Sequence, residues 1–276
     1  MREIKDPKFH IKLALNAFKK GNFYLAYAEL KTAEVLGADY KDIKNYLIDS
    51  FNFIVNDIRN MDHNQYFRYK SLSEKLLNLE PEGKFSILDV GGGEGKLSCF
   101  LPKNVKYCLV EPSVNFISSE NLFFDDKSFD YVVSCHVLEH IPELERNSFL
   151  SNLLSKSRKG LILLNPFTNK NLDNISRHSL VYEITSASWA KEHLECNLPT
   201  LDFIKQFAHA NNLELSIEQN GTLTTSLAFV FLSYFAYKAN CEEELKKINY
   251  YFNTELYKTM NSSLYPTGYL IYMRRK

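Results

Sequence analysis

Apolar residues recur at helical spacing through residues 8–60. Ala14, Leu15, Ala17 and Phe18 form one stripe, Gly21 and Asn22 interrupt it, and Leu25, Ala26, Ala28, Leu30, Ala33 and Val35 resume it before Gly37. The pattern predicts paired helices that cap a larger domain. An aromatic stretch containing Tyr66, Phe67 and Tyr69 follows, then an amphipathic segment with Leu72, Leu76, Leu77 and Leu79. Pro81 and Gly83 supply a turn. We therefore expect a helical extension over residues 1–80 and a second domain over 81–276.

From residue 85 the period changes. Short apolar runs at 85–90, 106–110, 131–134, 160–164 and 213–218 alternate with helical stretches, and a further short element is expected near Leu122 and Phe123. Alternation of this kind predicts a mostly parallel sheet with crossover helices, an α/β fold. Thr200 can cap a helix over 201–210, where Asp202 complements the helix dipole. Residues 223–260 read as inserted helices, and 268–275 as a last strand.

Composition narrows the function classes. Thirty-three basic residues balance thirty-three acidic ones, so no global field draws the chain to nucleic acid or to an anionic membrane. The apolar run 227–237 contains Ser233 and is too short to span a bilayer. Cys99, Cys108, Cys135, Cys196 and Cys241 are odd in number and widely spaced, which fits a reduced, cytoplasmic setting.

Candidate chemistry centres on residues 87–97. Four of the ten glycines, Gly91, Gly92, Gly93 and Gly95, fall directly after the first apolar run. A phosphate loop needs a hydroxyl residue after Gly95 and Lys96, where Leu97 stands, and a glycine where Val90 stands. A dinucleotide fingerprint needs a third glycine where Lys96 stands. What remains is Asp89, Gly91, Gly93 and Gly95 at alternate positions, which resembles motif I of class I S-adenosylmethionine-dependent methyltransferases, with a Rossmann-like sheet and an antiparallel last strand. Glu111 ends the second strand about twenty residues after the turn, the spacing of an acid that bonds ribose hydroxyls. The run from Leu122 through Phe129 and Asp130 to His136, Val137, Leu138, Glu139 and His140 resembles the fourth-strand region of the same family.

The resemblance implies S-adenosylmethionine as cofactor and S-adenosylhomocysteine as product, held by Asp89, Gly91, Gly93, Gly95, Glu111, Cys135 and His136. An Asp commonly bonds adenine in that family; here no Asp stands at that place, and the adenine contact falls to Asn121, to Glu120, or to backbone and apolar packing. His136 leaves the strand at the carboxyl edge of the sheet and is the candidate general base. His140, and His193 in what reads as a long loop after the 160–164 strand, are further catalytic candidates. His136, Glu139 and His140 can share one helix face and form an alternative metal set, although the reading requires no metal. The helix pair around Gly21 resembles a tetratricopeptide-like hairpin, a surface for protein docking or homodimerisation. We expect O-methylation of a small molecule or a glycan or nucleotide-sugar precursor, as in surface polysaccharide biosynthesis. The rival readings are N-methylation of a protein or small amine, and a non-catalytic cofactor-binding scaffold.

Overall fold

A computed structural model describes residues 3–168, 174–260 and 265–276. The helices are α1 (Pro7–Lys19), α2 (Phe23–Val35), α3 (Tyr40–Asp57), α4 (His63–Leu79), the single turn α5 (Pro112–Asn115), α6 (Arg146–Lys156), α7 (Asn174–Thr185), α8 (Ser188–Glu195), α9 (Leu201–Ala210), α10 (Leu223–Ala239) and α11 (Glu242–Tyr251). The strands are β1 (Ser86–Val90), β2 (Lys106–Val110), β3 (Phe129–Cys135), β4 (Ser157–Asn165), β5 (Leu213–Asn220) and β6 (Gly268–Arg275). Strand order is β2-β1-β3-β4-β6-β5. The β1 strand pairs in parallel with β2 and β3, whereas β6 runs antiparallel to β5 from Leu213 opposite Arg275 to Asn220 opposite Gly268. This is the mostly parallel sheet with an antiparallel last strand that the motifs imply.

The chain forms two compact units. The first gathers residues 1–58, 69–135 and 149–162, so α1–α3 belong with β1–β3. Local chemistry starts each helix: Asp6 accepts from the Lys8 N–H at 2.9 Å, Asn22 from Leu25 at 3.2 Å, and Asp39 from Lys41 at 2.9 Å. Gly21 turns between α1 and α2 at φ 77°. Ala14, Tyr27, Leu30, Ile43, Leu47, Ile54 and Cys99 form one apolar core beneath these helices.

Helix α2 also closes the free edge of β2. Thr32 Oγ1 accepts the Leu109 N–H at 2.9 Å, and Asn115 Nδ2 donates to the Leu109 carbonyl and to Glu29 Oε1, both at 3.0 Å. Glu29 in turn pairs with His10 Nδ1 at 2.6 Å, with both side chains fully buried. These bonds satisfy edge groups that another strand would otherwise take. The element expected near Leu122 and Phe123 is accordingly not a strand. Phe123 and Phe124 pack on each other, and Phe124 meets Phe129 edge-on.

The second unit comprises residues 59–68, 136–148 and 163–276. The expected inserted helices are α10 and α11, followed by a short π-helical turn at Phe252–Leu256. The stretch read as a long loop is instead helices α7 and α8. Polar residues dominate α8 in sequence, but Ala190 and His193 are buried on it at 0% and 5% exposure, a one-turn spacing that supports an amphipathic helix.

Candidate functional site

In the first unit, strand β1 runs straight into the glycine turn. Gly91, Gly93 and Gly95 adopt φ of 73°, 57° and 70°, a region costly for other residues. The Gly91 N–H donates to the Val110 carbonyl at 2.8 Å, tying the turn to the end of β2. A Cβ at Gly95 would lie 2.2 Å from the Ala28 Cβ, so that glycine serves close packing against α2. A Cβ at Gly93 would meet nothing within 4 Å. The turn is therefore closed on its Gly95 side and open at Gly93, where a ligand can approach backbone.

Asp89 lies under the turn with 1% exposure. Its Oδ2 accepts from the Tyr107 hydroxyl at 2.6 Å, while Oδ1 is buried and has no partner among the described residues. Burial, reinforced by the neighbouring Glu111 charge and opposed by the Tyr107 bond, raises the carboxyl to about 7. Glu111 caps α5 through Ser113, and its Oε2 accepts the Gly93 N–H at 3.0 Å. Asn121 is exposed and accepts the Ser118 N–H at 2.7 Å, closing its own turn. Cys135 ends β3 half-buried.

The second unit holds a cavity of 380 Å³ lined by His136, His140 and His193, the three histidines singled out as catalytic candidates. It also draws on His63, Arg68, Arg177, His178 and Trp189. His136 sits at φ 57°, in the left-handed region, and its N–H donates to the Leu164 carbonyl at 2.8 Å. Its Nδ1 lies 2.9 Å from Oε1 of the fully buried Glu139, and Asn165 Nδ2 donates to the other oxygen. Burial alone would raise the Glu139 carboxyl, but His136 and His193 hold it down at about 2, so it remains a carboxylate. The ring is out of line for a hydrogen bond and Glu139 Oε1 has no hydrogen-bond donor among the described residues, but a carboxylate at that distance favours the imidazole proton on Nδ1 and the lone pair on Nε2. Burial first, then the charge of Arg68, lowers His136 to about 4 against the pull of Glu139, which leaves the imidazole neutral at pH 7.

His193 Nε2 is 3.2 Å from His140 Nε2 and 3.8 Å from Glu139 Oε1. His193 Nδ1 contacts His178 Nε2 at 2.9 Å, and His140 Nδ1 meets Glu192 at 2.9 Å. Burial lowers His193 to about 3. Glu139, His140 and His193 thus bring three metal-type donors within 4.8 Å of one another. That trio differs from the set read from sequence, because His136 faces Glu139 through Nδ1 and His193 takes its place beside the pair. Three residues escaped the sequence reading as site residues: Tyr107, which resembles any strand aromatic; Arg68, which continues an amphipathic helix; and Glu139 as the partner of His136.

The methyltransferase domain model matches residues 59–216, more than half of the chain. The chain belongs to the methyltransferase-domain family. The class I, Rossmann-like resemblance stated from motif I and the fourth-strand run is borne out at the level of family and fold. No curated protein matches the chain. Among solved structures, it is similar to a putative methyltransferase from an antibiotic biosynthesis pathway of Anabaena variabilis, at 17% identity over 75% of this chain and 97% of that one, TM-score 0.48. It is also similar to the YcgJ protein of Bacillus subtilis, at 13% identity over 74% and 99%, TM-score 0.43. A phosphoethanolamine N-methyltransferase of Haemonchus contortus aligns at 14% identity over 87% of this chain and 60% of that one, TM-score 0.48.

Proposed function

We propose that this methyltransferase-family chain is an S-adenosylmethionine-dependent O-methyltransferase acting on a small molecule or a glycan or nucleotide-sugar precursor. The residues of the turn fit that cofactor. Gly93 leaves backbone accessible, the unpartnered Asp89 Oδ1 can accept from an ammonium group, and Glu111 offers a carboxylate to ribose hydroxyls. Cys135, His136 and Asn121 complete the cofactor-binding set in this reading. When bound, the cofactor supplies a methyl group on a sulfonium centre.

The chain's own contribution is to position and deprotonate the acceptor. His136 Nε2 would take the acceptor's hydroxyl proton, leaving the oxygen as the nucleophile for the methyl group that the bound cofactor would supply. Glu139 stabilises the imidazolium that results, the role of an orienting carboxylate behind a histidine base. His140 and His193 line the acceptor cavity beside it. The observation that carries this reading is a neutral His136 with a free Nε2 at the cavity wall, backed by a buried carboxylate. Methyl transfer from labelled cofactor to a panel of nucleotide sugars and surface glycans tests it. Failure of the folded protein to bind the cofactor by calorimetry would sink it and leave the scaffold reading.

A second reading is favoured by the donor atoms of Glu139, His140 and His193 within 4.8 Å of one another: a divalent ion there would polarise the acceptor oxygen. Chelation followed by zinc add-back separates the two, because only the metal reading loses turnover and regains it. No described helix is long and apolar enough to cross a membrane. We place the enzyme in the cytoplasm, with residues 1–80 as a helical extension that docks a protein or a second copy, and 81–276 as the catalytic domain.

A further inference from the structure

The cavity beside His136 has an uneven charge. Its described lining contains two guanidinium groups, Arg68 and Arg177, and five imidazoles, but no carboxylate. The whole chain carries equal numbers of acidic and basic residues, so this bias belongs to the cavity. Neither arginine is paired with a carboxylate among the described residues. Arg68 Nε donates to the Asn64 carbonyl of its own helix at 3.0 Å. Arg177 donates to the Thr267 carbonyl at 3.5 Å and to His178 Nε2 at 3.1 Å, both weak substitutes for a counter-ion. Both guanidinium groups are half-buried, and the Glu139 carboxylate acts on Arg177 only from beyond pairing distance; partly buried cations with no carboxylate paired to them mark places where a ligand can supply the charge.

We infer that the cavity binds an acceptor carrying an anionic group, a carboxylate or a phosphate, held by Arg177 and Arg68 next to His136. The inference rests on the O-methyltransferase reading and specifies its acceptor. The remaining lining suits a polyhydroxylated anion such as a uronic acid or sugar phosphate: Asn64, Gln65, Thr225 and Ser226 offer hydrogen bonds, and Trp189 offers a stacking face. The same charges disfavour a protonated amine, which bears on the N-methylation rival.

The test measures binding separately from methyl transfer. Glucuronate, its neutral methyl ester, glucose 1-phosphate and inorganic phosphate are titrated into the full-length protein by calorimetry, with and without S-adenosylhomocysteine. We expect at least one anion to bind about tenfold more tightly than the ester, with affinity falling as salt rises. The glucuronate and glucose 1-phosphate arms tell a carboxylate from a phosphate. Arg177→Gln should remove that preference and Arg177→Lys should restore part of it. Arg68→Gln, on a different element, guards against a folding defect at Arg177. Equal binding of acid and ester, no binding of any anion, or an unchanged preference in both glutamine variants would overturn the inference. Loss of S-adenosylhomocysteine binding by the parent protein would instead count against the methyltransferase reading, leaving the anion result to stand or fall on its own arms.

Discussion

The glycine turn and the histidine cavity are built in different ways. The turn is one contiguous stretch in which backbone does most of the work. Three left-handed glycines expose peptide groups, and Asp89 and Glu111 reach in from the strand ends. The cavity draws His63 and Arg68 from α4, His136 from the end of β3, Arg177 and His178 from α7 and His193 from α8. Its chemistry depends on side chains held by other side chains. A backbone cradle can be broken by adding one bulky group at one position. A side-chain constellation should instead fail by degrees, according to how directly each member faces the proposed acceptor.

The largest effect should therefore come from Gly93→Arg. The Cβ position is open, so the fold survives at about 1 kcal/mol for the left-handed backbone, while cofactor binding falls below detection by calorimetry. Gly95→Val is the control that sharpens the contrast. Its Cβ would collide with Ala28, and we expect a loss of about 3 kcal/mol or more in denaturant unfolding, a structural failure rather than a binding one. If the two variants behaved alike, the division of the turn into an open and a closed side would be wrong.

On the cavity side, His136→Ala should lower turnover about 100-fold when measured at saturating cofactor. Turnover close to that of the parent would remove His136 as the base. Glu139→Gln should cost less, about tenfold, because it leaves the imidazole in place but withdraws the charge that steadies its protonated form. The readout that distinguishes positioning from structure is the acid limb of the turnover profile. Glu139 raises the proton affinity of His136, so the limb should move to lower pH in Glu139→Gln and return in Glu139→Asp.

This difference in construction also explains what the sequence reveals. The turn, Glu111, the exact span of β2 and α9, and the position of the last strand follow from local spacing, turn residues and a helix cap, whereas the antiparallel direction of that strand is implied only by the family resemblance. Helices α7 and α8 were hidden because one buried stripe runs through a polar segment, and periodicity is weak over eight residues. The edge of β2 is closed by Thr32, seventy-seven positions away, in place of the short element expected near Leu122. No local pattern encodes such a partner. Likewise His193 is chemically ordinary until α8 carries it to His178 and His140, and Arg177 supports the proposed anion only because the described lining of the cavity holds no carboxylate.

The smallest expected effect sets the two regions against each other in pH. Asp89 is raised in the folded state from 3.8 to about 7, so its contribution to stability is fully present below about 3.8 and is lost as pH rises through about 7. His136 and His193 are lowered from 6.5 to about 4 and about 3, so theirs is present above about 6.5 and is lost as pH falls through those values. Thermal unfolding of the free protein should then be limited by the turn on the alkaline side and by the cavity on the acid side. Asp89→Asn should flatten the alkaline loss alone. Because the proposed ligand presents an ammonium group to Asp89, its affinity should weaken as pH drops below about 7, at most tenfold per unit, and binding near neutrality should release a proton. Calorimetry in two buffers of different ionisation enthalpy reads that proton directly. A titration with no proton release would mean that Asp89 serves the turn through Tyr107 alone and never meets the cofactor.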